Sequence, residues 1–192
     1  MVYFELITLI LKTHSGRGFG PFYHIPIENG ELEMKLSENL SLSEITKSNT
    51  ARRRNISNEP TPKHLKNLKH LAENGFQPIR EHFGVPVYIS SGYRSEELNS
   101  AIGGALNSHH KDGNAIDLDQ DGRNTGVSNA DIFWFILDNM DYTELIYEFG
   151  DDKNPGWVHY ALVQGREKEK KTLRAIKVNG RTKYIKFDLD RR

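Results

Sequence analysis

The stretch Ser108-His109-His110-Lys111-Asp112-Gly113-Asn114-Ala115-Ile116-Asp117 sets an imidazole, His110, and a carboxylate, Asp117, seven residues apart. Gly113 lies between them and can turn the chain back, and Asp117 would begin or occupy a strand. A second imidazole, His159, sits in the β-rich run Trp157-Val158-His159-Tyr160. Two imidazoles and one carboxylate suit a zinc ion that keeps one position open for water, and the open position is what separates a catalytic zinc site from a structural one.

Working outward, Thr61-Pro62 offers an N-cap and a first-turn proline. Leu65, Leu68, Leu71 and Ala72 continue at helical spacing toward Phe76, Ile79 and Phe83, with an interruption expected near Gly75 and Pro78. Val85-Pro86-Val87-Tyr88-Ile89 reads as a short strand with its proline at the edge or start, and Ser90 to Arg94 as the loop leaving it. Ser128, with Asp131 three residues later, opens a second helix whose buried stripe is Ile132, Phe135 and Ile136. Leu145-Ile146-Tyr147 and Trp157 to Leu162 read as strands, and Asn179-Gly180 between two β-rich runs is a hairpin signal. Together these elements predict an α+β fold, with helices on one face of a small antiparallel sheet.

Length and composition bound the rest. At 192 residues with 36% hydrophobic positions, one domain plus appendages is expected. Twenty-six basic residues balance twenty-six acidic ones, which removes the overall field that a nucleic-acid partner would need. Arg52, Arg53 and Arg54 read as a solvated face. The absence of cysteine excludes disulfides, thiolate zinc fingers and a cysteine nucleophile. The opening run Met1 to Lys12 is apolar but holds Glu5 and lacks a basic start and a small-residue cleavage site, so it does not read as a signal peptide. Twelve residues are also too few to span a membrane. Compartment and oligomeric state are left open.

The motifs resemble those of the zinc D-alanyl-D-alanine carboxypeptidases and their relatives, which include phage endolysin peptidases and the zinc fold of Hedgehog signalling domains. That signature, Ser-x-His-x-x-Gly-x-Ala-x-Asp followed by Trp-x-His, is met at Ser108, His110, Gly113, Ala115, Asp117, Trp157 and His159. Ser91 to Ser95 (SerGlyTyrArgSer), Asn99, Gly103-Gly104 and Leu145 to Glu148 also look like the carboxypeptidase branch. The resemblance covers roughly residues 36–163. It implies one zinc ion per chain, held by His110, Asp117 and His159 in a cleft over the sheet, and peptidoglycan peptide as substrate. The domain reading is an appendage over 1–33, a zinc peptidase domain over 34–165, and an extension over 166–192 carrying the hairpin.

A zinc hydrolase needs a base. Glu148 resembles the glutamate preceding the final histidine in this branch, although ten residues separate it from His159 and many relatives place the acid three before, where this chain has Gly156. Asp151, Asp152 and Glu144 are the alternatives. Arg94 offers a planar fork to a substrate carboxylate or carbonyl, with a structural ion pair as its competing role, and Ser108 and Trp157 are expected to line the site. Asp117-x-Asp119-x-Asp121-Gly122 copies half a calcium loop, but its twelfth position is Ser128 where a bidentate glutamate is required. Two rival readings stay open: a zinc-holding binding module without catalysis, and a phage structural or lysis component of the same fold.

Overall fold

The computed structural model describes residues 24–26 and 32–189. The appendage expected over 1–33 and the apolar opening run therefore lie almost wholly outside the described residues. The elements are β1 (His24–Pro26), β2 (Leu32–Ser37), β3 (Leu40–Ser41), α1 (Leu42–Thr46), α2 (Asn49–Arg54), α3 (Pro62–Leu71), a π-helical turn (Ala72–Phe76) and α4 (Gln77–Phe83). Then follow β4 (Ile89–Ser91), α5 (Glu96–Ala101), β5 (Ala115–Leu118), α6 (Asn129–Asn139), β6 (Glu144–Glu148), β7 (Trp157–Ala161), β8 (Lys171–Val178) and β9 (Arg181–Lys186). Among the described residues no helix is long and apolar enough to cross a membrane.

Thr61 caps α3 by accepting from the His64 backbone N–H, with Pro62 in the first turn. The interruption expected near Gly75 and Pro78 is the π turn. Proline lacks an N–H and its ring crowds the carbonyl four residues back, and the wider turn absorbs that mismatch without ending the helix. Gly75 faces the sheet so closely that a Cβ there would meet the Tyr160 ring at 2.7 Å. Ser128 and Asp131 form the expected capping box of α6. Arg52, Arg53 and Arg54 make the exposed last turn of α2.

The main sheet has six strands in the order β4-β5-β7-β6-β8-β9, beside a three-stranded β1-β2-β3 sheet. The expectation of an antiparallel sheet needs correction, because β6 and β8 run parallel while the other pairs of the main sheet are antiparallel. The cause is topological: β8 turns back from the end of β7 and passes over β6 to pair on its far side, so it must share the direction of β6. The strand expected over Val85–Ile89 begins instead at Ile89. Pro86 has no N–H for a ladder, and Gln120 takes over this segment, accepting from Tyr88 N and donating to Pro86 O. Ser90 and Ser91, expected in a loop, belong to the strand.

Side chains alternate across a strand, and here the alternation divides the molecule. Ile116, Leu118, Leu145, Tyr147, Val158 and Tyr160 point into one apolar cluster with Leu68, Leu71 and Ile79 of the helical side and with Ile132, Phe133 and Ile136 of α6. Asp117, Ile146, Glu148, Trp157 and His159 occupy the intervening positions and point to the other face.

Gly92 joins the two layers: Tyr93 N donates to Ile45 O at 2.8 Å, and a Cβ on Gly92 would lie 2.2 Å from that same oxygen. Gly92→Ala should therefore destabilise the fold by about 1–3 kcal/mol, the usual cost of overpacking. The check is a denaturant or thermal melt, and a variant as stable as the parent contradicts the close approach.

Candidate active site

Asp117 on β5 and His159 on β7 are direct cross-strand partners. His110 reaches them from the preceding loop, which Gly113 reverses at φ 73°. That loop is pinned on both sides: Arg94 N and Gly113 N donate to His110 O, and His110 Nδ1 donates to Gly92 O at 2.7 Å. Upstream, the Asn99 side chain donates to Ala105 O, and Gly104 sits where a Cβ would strike Asn99 Oδ1 at 2.2 Å. The Asn99 and Gly103-Gly104 motif thus shapes the loop that carries Ser108 and His110.

The three polar atoms converge. His110 Nε2 lies 3.1 Å from Asp117 Oδ1 and 3.2 Å from His159 Nδ1, and His159 Nδ1 lies 2.9 Å from Asp117 Oδ1. Zinc bonds of about 2.0–2.1 Å in tetrahedral geometry imply ligand separations of roughly 3.3 Å, close to these values. Protonation supports the same fit. With Nδ1–H given to Gly92 O, a neutral His110 presents a bare Nε2 lone pair to a carboxylate oxygen and a second imidazole. A cation at the centre turns that repulsive contact into three bonds. His110, Asp117 and His159 are all buried and form the one group of this kind among the described residues. Asp119, from the calcium-loop reading, instead accepts from Asp121 N in a turn.

Burial would raise the Asp117 pKa, but when no metal is bound and His110 carries a second proton on Nε2, its charge and hydrogen bond, with the hydrogen bond of His159, outweigh burial and hold the carboxyl well below the carboxylate range. Burial lowers the His110 pKa. Burial also opposes the charged form of His159, yet the hydrogen bond and charge of Asp117, with Glu144 and Glu148 behind it, leave that pKa raised.

Arg94 lines the cleft as expected, but it is not free of ion pairs. Its Nη2 donates to Asp117 Oδ2 at 2.8 Å and its Nε to Ser91 Oγ at 3.0 Å. The guanidinium therefore holds the second carboxylate oxygen while the first faces the imidazoles.

Glu148 is two positions along β6 from Ile146, the partner of His159, and so shares the face of the histidine. The ten-residue gap in sequence closes because β6 and β7 form an antiparallel pair, in which Glu148 opposes Trp157. Burial pushes the Glu148 pKa up to about 7, with the charges of Asp117 and Glu144 adding and those of His159 and Arg94 opposing. The alternatives already have partners, although Glu144 also lines the cleft. Glu144 binds Lys171 at 2.6 Å and faces His159 Nε2 at 3.8 Å, Asp151 accepts from the backbone of Lys153 and Asn154, and Asp152 pairs with Arg174.

A cleft of about 590 Å³ brings together Arg94, Ser108, His110, Asp117, Glu148, Trp157 and His159. His109 lines its rim outside the triad. Sequence reading missed the opposite wall, which comes from the hairpin: Lys171, Leu173, Lys177, Thr182 and Tyr184. It also missed Phe149, held at φ 55° with its ring 5.1 Å from that of Trp157. The Asn179-Gly180 signal announced the hairpin but carried no information about which strand it would join.

A sheet with helices on one face and, on the other, a His-Asp-His cradle beside a desolvated glutamate is the arrangement of a metal-dependent hydrolase. The family model described as Peptidase M15 matches residues 38–151, more than half of the chain. The chain belongs to that family of zinc-dependent, D-Ala-D-Ala carboxypeptidase-like peptidases and is a metallopeptidase. No curated protein matches it. The matched stretch includes Arg94, Ser108, His110, Asp117 and Glu148, whereas Trp157, His159 and the hairpin lie beyond it.

Two outcomes follow from the electrostatics. In the metal-free protein, the raised Glu148 pKa carries no penalty below the unfolded value near 4.5; the penalty grows as pH rises and is complete above about 7. Glu148→Gln should then gain stability on the parent between pH 5 and pH 8; an offset that stays constant with pH contradicts the raised pKa. Arg94→Lys keeps the charge but loses the two-nitrogen grip on Asp117 and Ser91, and should weaken zinc binding by about 10–100-fold, as loss of an outer-shell partner does. Chelator competition measures it, and affinity equal to the parent's removes Arg94 from the support of Asp117.

Proposed function

We propose that the chain hydrolyses peptide bonds in stem peptides of bacterial peptidoglycan, with one zinc ion held by His110, Asp117 and His159 and with Glu148 as the base. The observation that carries this reading is the convergence of three buried ligand atoms, two imidazole nitrogens and a carboxylate oxygen, within 3.2 Å of one another. Bound zinc supplies a Lewis acid for the scissile carbonyl and lowers the pKa of a water toward neutrality. The Glu148 carboxylate takes the proton of the attacking water and passes it to the nitrogen of the leaving amine, a shuttle suited to a carboxyl poised near pH 7. Asp117 stays ionised throughout, and Glu144 faces His159 Nε2, favouring the tautomer whose Nδ1 is bare.

Ser108, Trp157 and the one guanidinium nitrogen of Arg94 not engaged by Asp117 and Ser91 line the cleft and are what we assign to substrate. The likeness of Ser91 to Ser95, Asn99 and Gly103-Gly104 to the carboxypeptidase branch supports a D-amino-acid peptide, cut at a terminal D-alanine or at an internal stem bond. We extend the same reading to the fold, as one shared with the Hedgehog-type zinc domains, and to a peptidase domain over 34–165 bearing an extension over 166–192.

Purified protein should hold close to one zinc per chain, and His110→Ala or His159→Ala should remove it, as read by elemental analysis. Zinc-loaded protein should release defined products from muropeptides by mass spectrometry. Glu148→Gln should keep the zinc but lose turnover on the order of a hundredfold or more. Zinc without turnover in the parent supports the binding-module alternative, and full zinc in both histidine variants removes the ligand assignment.

A further inference from the structure

The β8–β9 hairpin lies outside the family match yet forms a wall of the cleft. Between Lys171 and Lys186 it carries six basic residues, Lys171, Arg174, Lys177, Arg181, Lys183 and Lys186, and no acidic one, in a chain of net charge zero. Lysines on an edge strand also deter strand pairing with other chains, which accounts for β9. It does not account for Lys177, which stands on the inner strand β8 and lines the cleft.

The cleft-facing cations of this wall differ. Lys171 is neutralised by Glu144 at 2.6 Å. Lys177 has no carboxylate partner among the described residues: its Nζ donates to Thr182 Oγ1 at 2.9 Å and rests 4.9 Å from the centre of the Phe149 ring. The Phe149 backbone takes a left-handed conformation that a bulky residue rarely adopts. Contact with Trp157 and the bond from Phe149 N to Ala175 O hold it there. On the metal side the acids Asp117 and Glu144 are already paired with cations, Arg94 and Lys171, which leaves Lys177 as the cleft-lining cation with its charge open to an anionic group of a bound peptide.

We infer that Lys177, seated on Phe149 and Thr182, is a specificity residue that binds a free carboxylate of the peptide substrate, so that the hairpin selects acidic peptides for the cleft. The inference rests on the peptidase reading above. It names a group of the substrate away from the scissile bond, and Lys177 acts through binding alone.

The test uses full-length, zinc-loaded protein and synthetic cell-wall stem peptides in which each free carboxylate is in turn capped as its carboxamide. For one of these positions, capping should lower the kcat/KM of the parent about two- to fivefold, the range of an exposed ion pair, and chiefly through KM. In Lys177→Met the same capping should make no further difference, whereas Lys177→Arg should retain the preference. Added salt should erode the preference of the parent. If every capping has the same effect in the parent and in Lys177→Met, with both melting alike, the subsite is overturned while the peptidase reading stands. If the zinc-loaded parent cleaves no peptide of the set, the peptidase reading fails and the subsite with it.

Discussion

The structure is organised around a buried negative charge. Asp117 sits on β5, between β4 and β7, only 7% exposed, where an isolated carboxylate would be prohibitively costly. Its two oxygens are met separately: Oδ2 by the Arg94 guanidinium and Oδ1 by the imidazoles of His110 and His159. Each of these partners is secured by another part of the chain. Ser91 steadies Arg94, the Gly92 carbonyl fixes His110, and cross-strand pairing places His159. Removal of any one of them leaves charge or lone pairs unanswered in a poorly solvated place. A dication at the meeting point would engage all three ligand atoms at once.

The same constraint explains why neighbouring carboxyls behave so differently. Asp117 is ionised because cations and donors surround it, while Glu148, nearby on the same face, is desolvated among like charges and rises toward neutrality. Two carboxyls pushed apart in this way can divide the work, one holding and the other exchanging a proton. Alternation along the strands makes the division possible. One set of residues on β5, β6 and β7 packs beneath the helices, and the intervening set builds the cleft. The apolar core and the site thus share the same short strands, and a shift of one residue in register would exchange them.

The hairpin adds a second layer of electrostatics. Its pairing with β6 brings a basic ribbon alongside the acidic side chains of that strand, and the Glu144–Lys171 pair joins the two. Chain-wide neutrality therefore conceals a cleft with one acidic and one basic side. Such local asymmetry is what a peptide bearing its own charges encounters on entry.

The sequence by itself determined the buried cluster of two imidazoles and a carboxylate and most of the local structure. The Ser108 to Asp117 motif and Trp157-Val158-His159 named the three members of the buried cluster, Ser128 with Asp131 marked the start of α6, and Asn179-Gly180, at φ 50° and 76°, made the expected turn. These features are legible because each depends on a short stretch of side chains and backbone preferences. Pairing across the sheet is not local. Only the tertiary structure decided that β8 would lie parallel to β6, that Arg94 would be committed to Asp117, and that a ten-residue gap would close to set Glu148 on the face of His159. Those outcomes depend on which strands meet and in what register, and that is fixed by burying the whole apolar face at once.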